Sequence, residues 1–335
     1  MDDLLAQAAE ELLSRHCTPA MVRAIRGGGD AGPLWAEIEA SGFLDALVPE
    51  AAGGAGLAHA EALPLLLACG RFALPLPFGE TMLARAALGT AAPAGAIALA
   101  QPVAGTDGIF GRVTPGGHAG WVVLPGAEAT LLLPMAAAET VAAGSAPLST
   151  LLRWPDAGSA ARLPAADWLA AGAWLAAADM AGAMEAILDR SIRYAGERRQ
   201  FGRAIAAFQA VQQQLSVLTE DVFAARIAAQ LSALPGGDGI AGLDTARIAV
   251  AKARIGEAGQ RVAAIAHAVH GAMGITEEVD LHLFVERLHR GRARFGSEAY
   301  WTAWLGRAFL AAPAQTSLDF VQARLGPVEG RCADE

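Results

Sequence analysis

Lysine is all but missing from this 335-residue chain: Lys252 is the only one, a scarcity read as coding bias rather than chemistry. Cysteine is scarce as well. Cys17, Cys69 and Cys332 are odd in number and widely spaced, which excludes a disulfide framework and a CxxC metal site and fits a reducing cytoplasm. Aromatic residues make up 6% and charged residues 18%, against 54% hydrophobic, so the chain is too apolar for disorder. Much of that surplus is alanine, which favours closely packed helices. Positive charge is in deficit. A formal net charge of −9 excludes counterion-release binding to nucleic acid and requires any anionic ligand to be met by a local arginine cluster. Neither GxxxxGK[ST] nor G-x-S-x-G occurs, so P-loop and nucleophile-elbow chemistry are set aside. The GxGxxG match at Gly27 to Gly32 follows a helix instead of a strand and lacks the context of a dinucleotide fingerprint. The acidic start Met1-Asp2-Asp3-Leu4 is unlike a signal peptide, and the longest apolar run, Leu169 to Leu188, is broken by Asp179 and Glu185, as expected of a buried helix rather than a membrane span.

Three textures follow one another along the chain. Residues 1–92 read as short helices: Leu4, Leu5, Ala8, Leu12 and Leu13 share a face, Thr18-Pro19 caps and opens a second helix, and a third runs from Leu34 to Ala40 and stops at Gly42. A helix to Cys69 and another beginning near Glu80 follow. Residues 93–165 carry five short apolar runs punctuated by Gly and Pro, at 97–100, 109–113, 121–124, 130–133 and 151–154, which read as strands of a small, reduced β domain. Residues 166–312 then show long helical periods: one capped by Asp167 and running through Glu197, one carrying Phe208 to Leu231, one from Asp244 to His270, and one starting near Thr276. These spacings predict an antiparallel four-helix bundle, followed by a C-terminal tail over 313–335. The expected fold class is therefore mainly α with a small β domain.

Few residues invite a chemical reading by type and spacing. His267 and His270, with Glu257 or Glu277, have metal-ligand types, but histidines at a helix C-terminus are ordinarily cationic caps, and no metal is expected. The run Arg287, His289, Arg290, Arg292, Arg294 reads as a solvated helix face or a phosphate contact. Trp168, Leu169 and Trp174 serve a core or a substrate pocket equally well. The segment Arg193 to Gln212 joins two long helices through an arginine pair, Gln200 and Gly202. Such an array can hold a pyrophosphate by charge-assisted hydrogen bonds, or form a structural Arg–Glu cluster.

That segment resembles the acyl-CoA dehydrogenases, whose bundle carries Y-A-x-x-R-x-Q-F-G-x-x-I-x-x-F-Q-x-V-Q at this junction. Ala268 to Glu278 is similar to the family's Q-V-H-G-G-x-G-F-T-E-E, and Val48-Pro49-Glu50 with Gly53-Gly54-Ala55-Gly56 to its V-P-E-x-x-G-G-x-G. The resemblance implies a helical domain, a β domain and a four-helix bundle, with FAD as cofactor. It implies that Arg198 and Gln209 hold the FAD pyrophosphate and adenosine bound mainly to a neighbouring subunit, with Gln200 and Phe201 beside them and His270, Gly271 and Gly274 forming a turn near the dinucleotide.

The departures also carry meaning. The family's T-E-P-x-x-G-S-D loop and W-I-T-N-like strand are expected to be missing between 94 and 165. The reaction needs a carboxylate to remove the α-proton of the acyl-CoA while a β-hydride passes to the flavin. One family location for that base falls on Gly172. The other falls in the loop after the fourth helix, where Glu298 stands close by but outside an E-G-T pattern, and a helix N-terminal acid is the preferred reading. The resemblance therefore implies the shorter subunit of an α2β2 acyl-CoA dehydrogenase, partnered by a full-length catalytic subunit and an electron-transfer acceptor. The alternatives are a self-sufficient dehydrogenase using Glu298 and a flavin-free scaffolding relative. The acyl group itself is not encoded in any motif.

Overall fold

A computed structural model describes residues 2–326 apart from 115–117, 127–128, 144–148, 159, 164–165, 236–239, 241 and 314–315. Five helices come first: α1 (Asp2–His16), α2 (Pro19–Arg26), α3 (Gly32–Ala40), α4 (His59–Arg71) and α5 (Phe78–Leu88). The Thr18 hydroxyl accepts from the Met21 amide and Pro19 occupies the first helical turn, so α2 starts where local chemistry favours it. The Gly27–Gly32 segment closes α2 and leads into α3, a helix-to-helix connection.

Seven strands follow: β1 (Ile97–Val103), β2 (Ile109–Val113), β3 (Trp121–Leu124), β4 (Thr130–Pro134), β5 (Glu139–Ala143), β6 (Thr150–Trp154) and β7 (Ala161–Leu163). They form one sheet in the order β5-β6-β2-β1-β3-β4-β7, antiparallel except for β1 beside β3. The five apolar runs all form strands. The two strands that the apolar pattern misses, β5 and β7, are the sheet edges, where Glu139, Thr140 and Arg162 face solvent and alternation is lost. Period-two alternation divides β1 between two cores: Ile97 and Leu99 join the helices, while Ala98 and Ala100 pack with Trp154 on the other side. Buried Thr81 of α5 ties sheet to helices, its hydroxyl accepting from the Ile97 amide (2.9 Å) and donating to the Ile97 carbonyl (3.1 Å).

The remaining helices are α6 (Trp168–Glu197), α7 (Gln209–Ser232), α8 (Thr245–His270), α9 (Leu281–Ala293), α10 (Glu298–Ala311) and α11 (Ser317–Leu325). Asp167 and Asp244 cap α6 and α8 by accepting from the amides of Ala170 (2.9 Å) and Arg247 (3.0 Å). α6 packs against α4, α7, α8 and α9, which is why the long apolar run is buried: 89% of its most apolar 18-residue window lies inside the fold. Three boundaries differ from the sequence reading. Phe208 precedes α7, and the Thr276 hydroxyl donates to Met273 O (2.9 Å) at the end of a short 3-10 turn instead of capping a helix, so α9 begins at Leu281. The segment beyond 312 is partly helical: Phe320 of α11 packs edge-on against Phe309 (centroids 5.5 Å), and buried Arg247 donates to Gly326 O (3.1 Å).

Candidate cofactor surface and the vacated base positions

α6 ends at Arg198, and the chain turns through a small hairpin of β8 (Arg199–Gln200) and β9 (Arg203–Ala204) before α7 begins at Gln209. Phe201 and Gly202 make the turn with φ of +50° and +80°. Gln212 Nε2 donates to Ala206 O (2.9 Å) and Arg203 lies over the Phe208 ring (4.2 Å), which fixes the approach to α7. Arg198, Gln200 and Gln209 are exposed, and among the described residues none of their side chains is engaged in a hydrogen bond or ion pair. Phe201 is 92% exposed. A bare aromatic ring is unfavourable on a free surface, and the donors beside it are free to meet a ligand that covers it.

The second motif sits against the first. Tyr194 of α6 stacks on His270 at the end of α8 (centroids 4.5 Å), and its hydroxyl donates to His270 O (3.3 Å). His270 is buried, with Nδ1 2.8 Å from Ala266 O, and burial lowers its imidazole below the ordinary range. It is therefore a neutral stacking residue, not the solvated cationic cap that its place in the sequence suggested, because Tyr194 covers it. Gly271 follows with φ +58° and nothing within 4 Å of a prospective Cβ, whereas a Cβ at Gly274 would meet His270 Cβ at 3.0 Å. Gly271 leaves room for a group approaching the backbone from outside, while Gly274 is buried and lets the turn pack against His270. Arg198, Gln200, Phe201, Gln209, His270, Gly271 and Gly274 thus converge on one end of the bundle, and their donor chemistry fits a pyrophosphate. Among the described residues no group of three or more His, Cys, Asp or Glu is placed to hold a metal ion.

Gly172 and the loop that carries the other expected base position also meet. Phe295, in the loop between α9 and α10, is 2% exposed and adopts φ +51°. Its ring lies where a side chain on Gly172 would be, 2.5 Å from that position. No acid at 172 can coexist with this ring. Lys252 holds the loop from below: its Nζ donates to Arg292 O (2.9 Å) and Gly296 O (2.8 Å) on either side of Phe295. The sole lysine thus has a chemical place that its rarity did not suggest. Glu298 opens α10, behind a Ser297 cap, and pairs with Arg292. Burial would raise its carboxyl, but Arg292, a backbone hydrogen bond and the Lys252 charge together outweigh that and hold it below the usual range. Its other oxygen, Oε2, has no hydrogen-bond partner and lies against Gly256 of α8.

Burial pulls the Lys252 ammonium from 10.5 down to about 7, against the opposing pull of Glu298. Between these values the folded chain binds fewer protons than the unfolded one, so stability rises with pH; the cost of the buried charge is complete below about 7 and gone above 10.5. Denaturant melts at pH 7 and pH 9.5 should therefore find the parent gaining on a Lys252→Met variant by up to about 1.4 kcal/mol per pH unit. A constant difference would refute the buried charge.

The arginine run of α9 is neither a solvated face nor an open phosphate contact. Arg287 pairs with Asp179 of α6 (2.7 Å) and Arg294 with Glu80 of α5 (2.8 Å), while Arg290 and Arg292 pair with the nearby Glu286 and Glu298; of the run, His289 alone is exposed. Trp168 and Trp174 are core, Trp174 edge-on to His59 (5.0 Å), while Leu169 is 37% exposed.

The β-domain signature expected to be missing is present in altered form. Ala100-Gln101-Pro102-Val103-Ala104-Gly105-Thr106-Asp107 keeps the Pro, Gly and Asp of T-E-P-x-x-G-S-D at the same spacing, with Gln for Glu and Thr for Ser. It leaves β1 and turns into β2, where a Cβ at Gly105 would strike the Phe110 ring at 2.1 Å and Asp107 pairs with Arg153 (3.2 Å). Trp121-Val122-Val123-Leu124 likewise keeps the Trp of the W-I-T-N strand but buries Val123 and Leu124 where the pattern has Thr and Asn. The spacing of the conserved-type Pro, Gly and Asp was the available signal.

Residues 163–308 match the profile described as acyl-CoA dehydrogenase, C-terminal domain. Over 297 residues the chain is 31% identical to acyl-CoA dehydrogenase IpdE2 of Mycobacterium tuberculosis, covering 85% of this chain and 90% of that protein. The chain belongs to the acyl-CoA dehydrogenase family. Acyl-CoA dehydrogenase structures share its fold: the ChsE4-ChsE5 complex from Mycobacterium tuberculosis superposes with a TM-score of 0.79 at 22% identity, covering 93% of this chain and 98% of that one. Butyryl-CoA dehydrogenase from Megasphaera elsdenii superposes with 0.74 at 17% identity, covering 92% and 98%. Within this family, the chain combines an uncommitted cofactor-type surface with a Gly172 whose side-chain space is filled by Phe295.

Proposed function

We propose that this chain is the shorter, non-catalytic subunit of a heteromeric acyl-CoA dehydrogenase and contributes half of an intersubunit FAD site. The observation that carries this reading is the Phe295–Gly172 contact: one family base position holds a glycine, and the ring of Phe295, from the loop that carries the other, fills the space a carboxylate at 172 would need. Bound FAD would supply the hydride acceptor for α,β-dehydrogenation of an acyl-CoA thioester. Arg198 would hold the pyrophosphate through charge-assisted hydrogen bonds, Gln200 and Gln209 would orient the adenosine portion, and Phe201 would cover it from water. Gly271 would let the backbone approach closely, beside a neutral His270 that adds no charge. A full-length partner subunit would provide the base and the polar groups that Gln101, Val123 and Leu124 replace here, and an electron-transfer flavoprotein would reoxidise the cofactor. That one solved relative is a two-component complex supports the same assembly. Burial pushes the Cys17 thiol up to about 12 and raises Cys69 well above the ordinary thiol range, which suits a cytoplasmic chain with unreactive thiols.

Co-expression with a full-length homologue should yield a yellow heteromer with one FAD per pair of chains, measured by absorbance and native mass. A yellow, active homo-oligomer of this chain alone would overturn the reading. In the active complex Glu298→Gln should leave turnover within about twofold while lowering stability by about 1–3 kcal/mol through loss of the Arg292 pair. Abolished turnover with normal folding would instead favour a self-sufficient enzyme using Glu298.

A further inference from the structure

A half-open cavity lies where α2, the α4–α5 connection, α6 and α9 meet, beside Thr114 at the end of β2. Arg26, Arg287, Arg290 and Arg294 line it, with Asp179 and Glu286. Their pairing is uneven. Arg287 directs Nε to both oxygens of Asp179 (2.8 and 2.7 Å) and Nη2 to Leu74 O (2.8 Å), and Arg294 takes Glu80. Glu286 alone serves both Arg26 and Arg290. Four guanidiniums therefore share three carboxylates, and Arg290 Nε is buried with no acceptor. Burial, with Arg26 and Arg294 nearby, pulls Arg290 from 12.5 to about 10, as expected of a cluster short of one negative charge. Among the described residues the Thr114 hydroxyl also has no partner. The rest of the wall, including Val22, Leu74 and Leu283, is apolar.

We propose that this cavity binds a small monocarboxylate with an apolar body. One carboxylate supplies the missing charge, takes the free edge of Arg290 together with Arg294, and accepts from Thr114, while its tail lies on the apolar wall. A phosphate dianion would overshoot the deficit by one charge and leave the apolar wall uncovered. Asp179 stands 19 residues before Arg198 on the same helix, about 28 Å at 1.5 Å per residue, so this site is distinct from the cofactor surface.

Calorimetric titration of the purified protein, with its partner subunit if the two copurify, tests this with hexanoate, hexanol and inorganic phosphate. Hexanoate is expected to bind once per chain, at least about tenfold more tightly than hexanol or phosphate. Arg290→Met should weaken it about tenfold or more, and Leu283→Trp, which fills the apolar wall without touching a charge, should abolish it in a chain that still melts cooperatively. No heat with hexanoate up to about 10 mM, hexanol or phosphate binding as well as hexanoate, or binding indifferent to both substitutions would overturn the proposal and leave the arginines as a structural hub. The readout does not involve dehydrogenation, so it stands or falls separately from the proposed function.

Discussion

Arg198→Ala, expressed with the partner subunit, is expected to bind FAD roughly 100-fold more weakly, the equivalent of about 3 kcal/mol for a lost charge-assisted contact. The side chain is exposed and makes no described intramolecular bond, so helical content and melting temperature should not change. That combination is the diagnostic part. A structural Arg–Glu cluster would lose stability and leave the cofactor in place, whereas a pyrophosphate ligand loses the cofactor and leaves the fold. The ratio of flavin to protein absorbance after gel filtration measures it directly. Full retention of FAD with the variant would remove Arg198 from the site, and absence of flavin with every full-length partner, together with unchanged assembly, would favour the scaffolding alternative.

Gly182→Val is expected to prevent folding of the chain. α4 and α6 cross with their backbones almost in contact: a Cβ at Gly182 would lie 1.9 Å from Leu67 O, and one at Gly70 would lie 2.0 Å from Asp179 O. Each helix presents a glycine to the other's carbonyl, so neither can shift aside without losing the reciprocal contact. The helix propensity gained by replacing glycine is about 1 kcal/mol at most, while overpacking at a fixed backbone costs several, about 4 kcal/mol or more here. Gly196→Ala is the control on the same helix: nothing lies within 4 Å of its prospective Cβ, and a gain of about 0.5–1 kcal/mol is expected. Soluble yield and thermal melts separate the two outcomes. Equal behaviour of the two variants would mean that α4 and α6 can separate cheaply.

The legible parts of the fold share one property: a local cause. Thr18, Asp167 and Asp244 cap helices through bonds spanning three residues, and β1, β3 and β4 alternate because each has one face toward each core. The misreadings have non-local causes. Thr276 carries cap chemistry, but its hydroxyl turns back to Met273, and β5 and β7 exist because β6 and β4 offer them free edges. Arg287 and Arg294 read as solvated until Asp179 of α6 and Glu80 of α5 supplied their carboxylates from more than 100 positions away in the chain.

The sequence by itself determined the family, the order of helical, β and bundle segments and the Arg198-to-Gln209 array, because these reside in residue types at fixed short spacings that survive without reference to anything distant. Only the tertiary structure decided that Lys252 braces the loop carrying Phe295, that Phe295 and Gly172 occupy one space, and that four arginines share three carboxylates. Those are facts about volume and charge between segments 40 to over 200 residues apart, and side-chain volume and unpaired charge have meaning only once the packing that confines them exists.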